Sequence, residues 1–475
     1  MIKTTIGELA RMCGGVLSSG EPTAADRRIA GVSTDSRKLH ADQLFIPLIG
    51  KRFDGHEYAA VARVNGAAAA LWQADRPVPD ALRDWPLIIV DDTLAALQRL
   101  AAAYRQQLPV RIVGITGSNG KTTTKDMVAA VLATVFRVHK TAGNLNNHIG
   151  LPLTLLEMDE TTEAAVLEMG MSGFGEIELL STIAKPDAAV ITNIGDAHLL
   201  QLGSREGIAK AKLEIAAGLK PEGLFVYNGD EPLLRDALTA PDMSGSFRKQ
   251  SFGAGECNDW QVTIVAMDAA GTEFGLRSAG QSNGSEPETM NYRIPVPGGH
   301  NVYNAAAAIA VAADLGVPAD RIRQGLAGLK LSAMRLESIR AYNGATVLND
   351  AFNANPTAMR AAVDTVAAMT GYRRKWLVLG DMLELGPEET RLHREIGAYI
   401  NPEKAGGLLT YGTLGRSIAE GAAANFPEAS GLVLHFEDKT ELTAWLRDRL
   451  HPDDLVLVKG SRGMQMEKIV HELEQ

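Results

Sequence analysis

The stretch GITGSNGKTTTKDM, residues 114 to 127, restricts the chain more than any other. An apolar strand, RIVGI, runs through a turn of small residues into a segment that starts a helix near Lys121. The first N–H groups of that helix have no acceptor of their own and point outward at the turn, which makes an anion cradle. Lys121 adds a point charge for a terminal phosphate, and the hydroxyl of Thr122 or Thr123 can complete the shell of a phosphate-bound magnesium. The general phosphate-loop pattern GxxxxGK[ST] is not met, because Ile115 stands six positions before the lysine and the glycines are at Gly114 and Gly117 instead. Strand, turn, lysine and paired threonines nevertheless occur together, and a bound nucleotide is expected.

At 475 residues, with 45% hydrophobic and 22% charged residues, the chain has room for roughly two to four globular domains. Its net charge of −10 argues against nucleic-acid binding and broad attachment to an anionic membrane. A phosphate site must then be a local exception built from N–H groups and a few lysines. Cys13 and Cys257 are far apart and lack metal-ligand spacing, so neither a disulfide framework nor a zinc site is supported. The segment MIKTTIGELARMCGGVL lacks the apolar core of a signal peptide, and the longest apolar run, AAAAIAVAA from Ala305, is too short to span a bilayer. A soluble, cytoplasmic protein without membrane insertion is expected, working as a monomer.

Residues 1–92 carry short apolar segments (QLFIPLIG, AALWQ, PLIIVDD) broken by turn residues, which predicts a small α/β domain. A linking helix, LAALQRLAAAYRQQL, stops at Pro109. From Val110 the strands RIVGI, AAVLEM, AAVITNI and GLFVYN alternate with helical segments, the rhythm of a doubly wound, mostly parallel sheet in a central domain, 93–330. Residues 257–297 interrupt it with strand-like runs and the polar stretch SAGQSNGSEPE, read as an exposed, mobile excursion. After the helical NAAAAIAVAADLG, a third α/β domain, 331–475, is predicted from ATVLND, KWLVLGD, GLLTYG, GLVLHF and DLVLVKG.

Such sheets bind ligands at the carboxyl ends of their strands, so polar residues after apolar runs are the informative ones. Glu168 ends AAVLEMG, and a carboxylate at a buried strand end needs a partner, either magnesium near Thr122 or a salt bridge. His198 follows the next strand in TNIGDAHLLQLGS, ahead of a helix capped by Ser204. Lys212 in KAKLE reads locally as a solvated helix face. TAGNLNNHIGLPLTLL crowds Asn144, Asn146 and Asn147 into one loop, more amide groups than a plain turn needs. NDAFNANP, with Asp350, Asn353 and Asn355, and LGDMLELG likewise follow strands in the third domain. Arg335 lies at the predicted domain junction, suited either to a ribose or phosphate contact or to an interdomain ion pair.

Taken in order, these motifs resemble the Mur ligase superfamily over the whole chain. TGSNGKTTTK resembles that family's ATP loop, whose glycine spacing departs from the general pattern in the way seen here, so Gly114, Thr116, Gly117, Ser118, Asn119, Gly120, Lys121, Thr122 and Thr123 are the implied loop residues. STDSRKL with LFIPLIGKRFDGH, TAGNLNNHIGLPLTLL and NDAFNANP resemble the branch that joins D-alanyl-D-alanine to UDP-N-acetylmuramoyl-tripeptide, the last cytoplasmic step of murein precursor synthesis. The resemblance implies three domains and an ATP- and magnesium-dependent ligase that makes an acyl phosphate of the peptide carboxylate. It implies that Thr122 and Glu168 hold one magnesium and that His198 and Lys212 serve a second, the lysine as a carbamate. Asn301 and Asn304 in GGHNVYN would lie on the adenine side, and Arg335 and Asp350 by the ribose and phosphates. Ser33, Asp35, Ser36 and Arg37, with Phe53, Asp54, Gly55 and His56, would hold the UDP-sugar end, although by themselves they read as two ordinary turns. Asn144, Asn146 and Asn147 would face the peptide, and Asn353 and Asn355 the substrate. Where many relatives have HLE, this chain has His198, Leu199 and Leu200, so an acidic role there is absent.

Three alternatives stay open at this point. One is a superfamily ligase that adds the third peptide residue, although the DNPR carried by diaminopimelate-adding relatives is missing. Another is a folylpolyglutamate synthetase. The last is a nucleotide switch or a small kinase; no guanine-reading NKxD occurs, and a small kinase would leave both ends of the chain without a role.

Overall fold

The computed structural model describes residues 1–18, 23–240, 247–279, 289–426 and 432–475. Three α/β units follow one another. In the first, a five-stranded sheet runs in the order Val16–Leu17, Leu87–Val90, Ala69–Gln73, Leu44–Phe45, Val32–Ser33, parallel except for its first pair. The helix Ile6–Cys13, which the strand pattern did not announce, is started by Thr5, whose side chain accepts from the Glu8 N–H, and ended by left-handed Gly14. The linking helix Thr93–Gln107 is capped by Asp92, whose carboxylate accepts from Ala95 N at 2.7 Å, and it ends two residues before Pro109.

The central sheet has nine strands. Seven are parallel, in the order Val138–Lys140, Ala164–Glu168, Arg111–Thr116, Ala188–Ile191, Leu224–Asn228, Arg248–Gly253, Trp260–Asp268. Ala164–Glu168 and Ala188–Ile191 have no exposed position, as expected of parallel strands covered on both faces. The predicted interruption after residue 257 is an extension of this sheet: Trp260–Asp268, Gly271–Ser278 and Thr289–Ile294 form two antiparallel steps beyond Arg248–Gly253. Most of SAGQSNGSEPE lies outside the described residues, and so does the mobility expected of it.

Arg111–Thr116 is flanked by two strands that follow it in sequence on opposite sides, so the order reverses there and a crevice opens at its carboxyl end. The helix leaving that crevice, Lys121–Leu132, is buried around most of its circumference between the sheet and the alanine-rich helix Gly299–Asp314. Packing on both sides fixes its amino terminus rigidly.

The third sheet runs Glu337–Arg340, Thr346–Asp350, Leu455–Lys459, Lys375–Leu379, Gly407–Tyr411, Leu432–Phe436, with only the first strand antiparallel. Its carboxyl edge, carrying Asp350 and Lys459, lines the same cavity as the central crevice. No described helix is long and apolar enough to cross a membrane.

Candidate active site

The turn after Arg111–Thr116 is moulded by the end of the neighbouring strand. Ser118 N donates to Asn193 O (3.0 Å), Asn119 N to Asn193 Oδ1 (3.0 Å) and Gly195 N to Ser118 Oγ (2.8 Å). Gly117 and Gly120 sit at φ 149° and 80°, and a Cβ on either would stand 1.8 Å from Thr192 Oγ1 or 2.5 Å from Asn304 Oδ1. Two chain segments therefore approach the loop at distances that only glycine permits. We expect Gly117→Ala to weaken nucleotide binding roughly ten- to a hundredfold, since strain of about 1–3 kcal/mol must be absorbed by the cradle itself. Calorimetric titration with ADP checks this, and unchanged affinity would remove the loop from the nucleotide site.

Lys121 opens the helix, and its ammonium folds back to donate to Gly117 O (2.8 Å) and Ser118 O (3.4 Å). Burial, with Arg335 adding to it against Glu168, pushes its pKa below the usual lysine range. One residue on, Thr122 Oγ1 donates to Glu168 Oε2 at 2.9 Å. Glu168, 3% exposed, also accepts from Asn146 Nδ2 at 2.8 Å, and its backbone N–H donates to Thr141 Oγ1 at 3.0 Å. Arg335 approaches from the domain junction, donating to Thr122 Oγ1 at 3.3 Å and lying 4.0 Å over the Phe352 ring. Its buried Nε has no hydrogen-bond partner, and burial lowers its pKa despite the attraction of Asp350 and Glu168.

These groups open onto a cavity of about 540 Å³, the size of an ordinary ligand site. Of the sequence-predicted residues, it gathers Ser118 to Thr123, Asn146, Glu168, Asn301, Asn304, Arg335, Asp350, Asn353 and Asn355. Asn119 and Asn355 join its two walls: Asn355 Nδ2 donates to Asn119 Oδ1 at 2.6 Å, and Asn119 Nδ2 to Asn355 Oδ1 at 3.4 Å. Asn301 and Asn304 are tied to each other at 3.2 Å and, through Asn301, to Pro297 O at 2.7 Å.

Other predicted residues lie elsewhere. Gly114 and Thr116 are strand residues behind the turn, and Gly117 lies beneath it. His198, at φ 67°, and Lys212 sit outside the cavity lining; burial first, then Lys121 and Lys212, lower the histidine's pKa. Lys212 is 2% exposed and has no hydrogen-bond or ion-pair partner among the described residues, and burial beside Lys121 pushes its amine well below the ordinary range. Asn147 Oδ1 accepts from Ile149 N (3.1 Å) and Gly150 N (2.8 Å), starting the helix Gly150–Glu157, while Asn144 is exposed.

In the first unit, Ser33 and Asp35 line a separate cavity of about 140 Å³ shared with Leu145 and Leu153. Arg37 binds Asp35 through two 2.9 Å contacts and holds its pKa down at about 2. Ser36 O accepts from Asn65 Nδ2 at 2.8 Å, and Phe53 is exposed. Asp54, Gly55 and His56 are tied into the fold of this unit: His56 is buried edge-on to Trp72, its Nδ1 2.7 Å from Asp54 Oδ1, and Gly55 N donates to Leu48 O at 2.9 Å. Both ring nitrogens of His56 are engaged, since Nε2 accepts from Gln73 N at 3.3 Å.

Lys459 was missed. It ends DLVLVKG, 3% exposed, and pairs with Asp350 Oδ2 at 2.5 Å while donating to Asn353 O at 3.0 Å, so the rule of a polar residue after an apolar run applies to it as well as to Glu168. Asn193, the other omission, follows AAVI in the same way.

Comparison with known proteins agrees with this layout. Residues 28–105 match the Mur ligase family catalytic domain, 115–312 the Mur ligase middle domain, and 334–462 the Mur ligase glutamate ligase domain. The chain is 50% identical over 473 residues to the UDP-N-acetylmuramoyl-tripeptide–D-alanyl-D-alanine ligase of Bacillus subtilis (strain 168), covering 100% of this chain and 99% of that one. The chain belongs to the Mur ligase family. Among solved Mur ligase structures, MurF from Acinetobacter baumannii superposes with a TM-score of 0.88 at 30% identity, covering 100% of this chain and 99% of that one. MurF from Thermotoga maritima, in complex with ADP, gives 0.80 at 28% identity over 94% and 97% of the two chains. The three-domain α/β fold expected from sequence is thus that of a Mur ligase, an ATP-dependent enzyme that forms a carbon–nitrogen bond.

Proposed function

We propose that this protein joins D-alanyl-D-alanine to UDP-N-acetylmuramoyl-tripeptide at the expense of ATP, through an acyl phosphate of the tripeptide's terminal carboxylate. The observation that carries the reading is one cavity walled by Lys121, Thr122 and Glu168 on the central side and by Arg335, Asp350 and Lys459 on the other. Nucleotide phosphates and two organic substrates can meet there only if both domains contribute. The third-residue-adding, folylpolyglutamate and switch alternatives find no support among these relatives.

In this reading Lys121 leaves the Gly117 and Ser118 carbonyls for the terminal phosphate, which offers a stronger acceptor. Arg335 turns its unpartnered Nε toward the phosphate and ribose region. The carboxylate attacks phosphorus and ADP leaves; the dipeptide amine then attacks the acyl carbon and expels phosphate, forming the amide. Excluding water protects the acyl phosphate, a role suited to the domain junctions near residues 92 and 331.

Thr122 and Glu168 would hold a magnesium ion, since their hydroxyl and carboxylate oxygens meet beside the phosphate cradle and are the hard oxygen donors such an ion takes. No cluster of three or more His, Cys, Asp or Glu is placed to hold a metal among the described residues, which suits an ion held largely by phosphates and water. When bound it neutralises charge on the transferring phosphoryl group. We assign His198 and Lys212, the latter as a carbamate, to a second magnesium; the uncharged amine favoured by burial is the form that reacts with carbon dioxide. Asn301 and Asn304 are assigned to the adenine side, Asn144, Asn146 and Asn147 with Asn353 and Asn355 to the peptide and dipeptide, and Ser33, Asp35, Ser36 and Arg37 with Phe53, Asp54, Gly55 and His56 to the UDP-sugar end. One chain supplies the whole cavity, in keeping with a monomer, and a nucleotide-linked substrate with ATP places the work in the cytoplasm.

The test is phosphate release with ATP, magnesium, the UDP-tripeptide and D-alanyl-D-alanine, leaving out one component at a time, with mass analysis of the product. Release that needs every component and yields the pentapeptide is expected; release indifferent to the dipeptide would overturn the proposal.

A further inference from the structure

Asp126 lies one turn beyond Thr122 on the helix Lys121–Leu132, outside the lining of the nucleotide cavity, and its side chain is 1% exposed. Buried carboxylates need partners, and this one has them from three parts of the chain. Oδ1 accepts from Lys140 Nζ at 2.7 Å, with Lys125 Nζ at 3.7 Å. Oδ2 accepts from both the backbone N–H (2.9 Å) and the hydroxyl (2.7 Å) of Ser332, at the start of the passage into the third domain. Lys125 in turn donates to Thr141 O at 3.0 Å, and the hydroxyl of the same Thr141 receives the Glu168 N–H.

Four residues after Ser332 the chain is held again, now by the third domain: Leu336 N donates to Asp350 Oδ1 at 3.3 Å. Between these two anchors Met334 and Leu336 take φ of 62° and 50°, unusual for side chains of their size, and Arg335 beside them reaches back to Thr122. A segment pinned at both ends and bent into the left-handed region has few ways to place that guanidinium, so its reach depends on where the first pin sits.

We propose that Asp126 is a positioning residue for phosphoryl transfer, fixing the chain at Ser332 and so setting where Arg335 meets Thr122 and the phosphates. This rests on the ligase reading given above. The helix that cradles the phosphates with its first turn anchors the pivot of the opposing domain with its second, so one rigid element references both walls of the site.

The experiment uses the full-length enzyme. Ser332→Ala removes the hydroxyl contact and keeps the N–H contact, whereas Ser332→Thr keeps both. We expect Ser332→Ala to lower kcat roughly tenfold at saturating substrates while ADP affinity by calorimetry stays within about twofold, and Ser332→Thr to turn over near the wild-type rate. In an Arg335→Ala background the same Ser332→Ala change should cost nothing further, because the effect passes through Arg335. Asp126→Asn should lose at least as much as Ser332→Ala if its melting temperature shows it folded; if it does not fold, the serine variants decide. Wild-type turnover in Ser332→Ala, an equal loss in both backgrounds, or a parallel loss of ADP affinity would each overturn the proposal. Failure of the ligase reading is distinct, since it shows in the wild-type enzyme as no phosphate release with these substrates.

Discussion

Lys121→Ala will cut phosphate release by about a thousandfold or more while leaving the fold intact. The expectation follows from where the ammonium sits. It caps the loop carbonyls at 2.8 and 3.4 Å, within a side-chain rotation of the cradle formed by the helix amino terminus, and burial makes its charge more effective there than in water. The substitution removes no packing that the helix depends on, since the helix is held by Val128, Val131 and Leu132 on its buried side. Lys121→Arg is expected to recover little, because a planar guanidinium needs more room than the ammonium of a loop closed by Thr192 and Asn304. Phosphate release from Lys121→Ala at the wild-type rate would sink the assignment of the loop.

Lys212→Ala should lose nearly as much, and added bicarbonate will not restore it. An amine so deeply buried, without a counter-charge and facing Lys121, cannot be retained for its positive charge. As a carbamate it would carry an anion into a place that already has a cation nearby. Carbon-13 NMR of the enzyme equilibrated with labelled bicarbonate should show a carbamate resonance that is missing from Lys212→Ala. Wild-type turnover by the variant, or a resonance that survives the substitution, would remove the carbamate from the mechanism.

Strands were the most legible part of the chain. AAVLEM, KWLVLGD and DLVLVKG are buried on both faces, so their apolar character is unbroken and announces itself without knowledge of neighbours. The phosphate loop was legible because strand, small-residue turn and helix start lie within a few positions of one another, although the segments that press on its glycines, at Thr192 and Asn304, are distant in sequence. Arg335 was only half legible, because its partners Thr122 and Phe352 lie on opposite sides of the junction and no local pattern encodes a meeting between domains. His198 and Lys212 had weak local cases and came through the resemblance alone. Asp54 and His56 read as an ordinary turn in sequence and also came through the resemblance alone; their hydrogen bonds run inside the first unit, to each other, Arg76 and Gln73. Asp126 carried no signal, since an acidic residue one turn into a helix is ordinary until its neighbours are seen.

The order of the third sheet has a consequence for how the protein is made. Leu455–Lys459, the last of that domain's strands to leave the ribosome, lies between Thr346–Asp350 and Lys375–Leu379, which are synthesised first. Until it arrives, those two strands have an open gap between them and their inner edges unpaired, so the domain cannot close during elongation as the central one can. A chain cut short before residue 455 would lose the middle of its sheet together with Lys459, leaving a finished nucleotide cradle beside an unfinished partner.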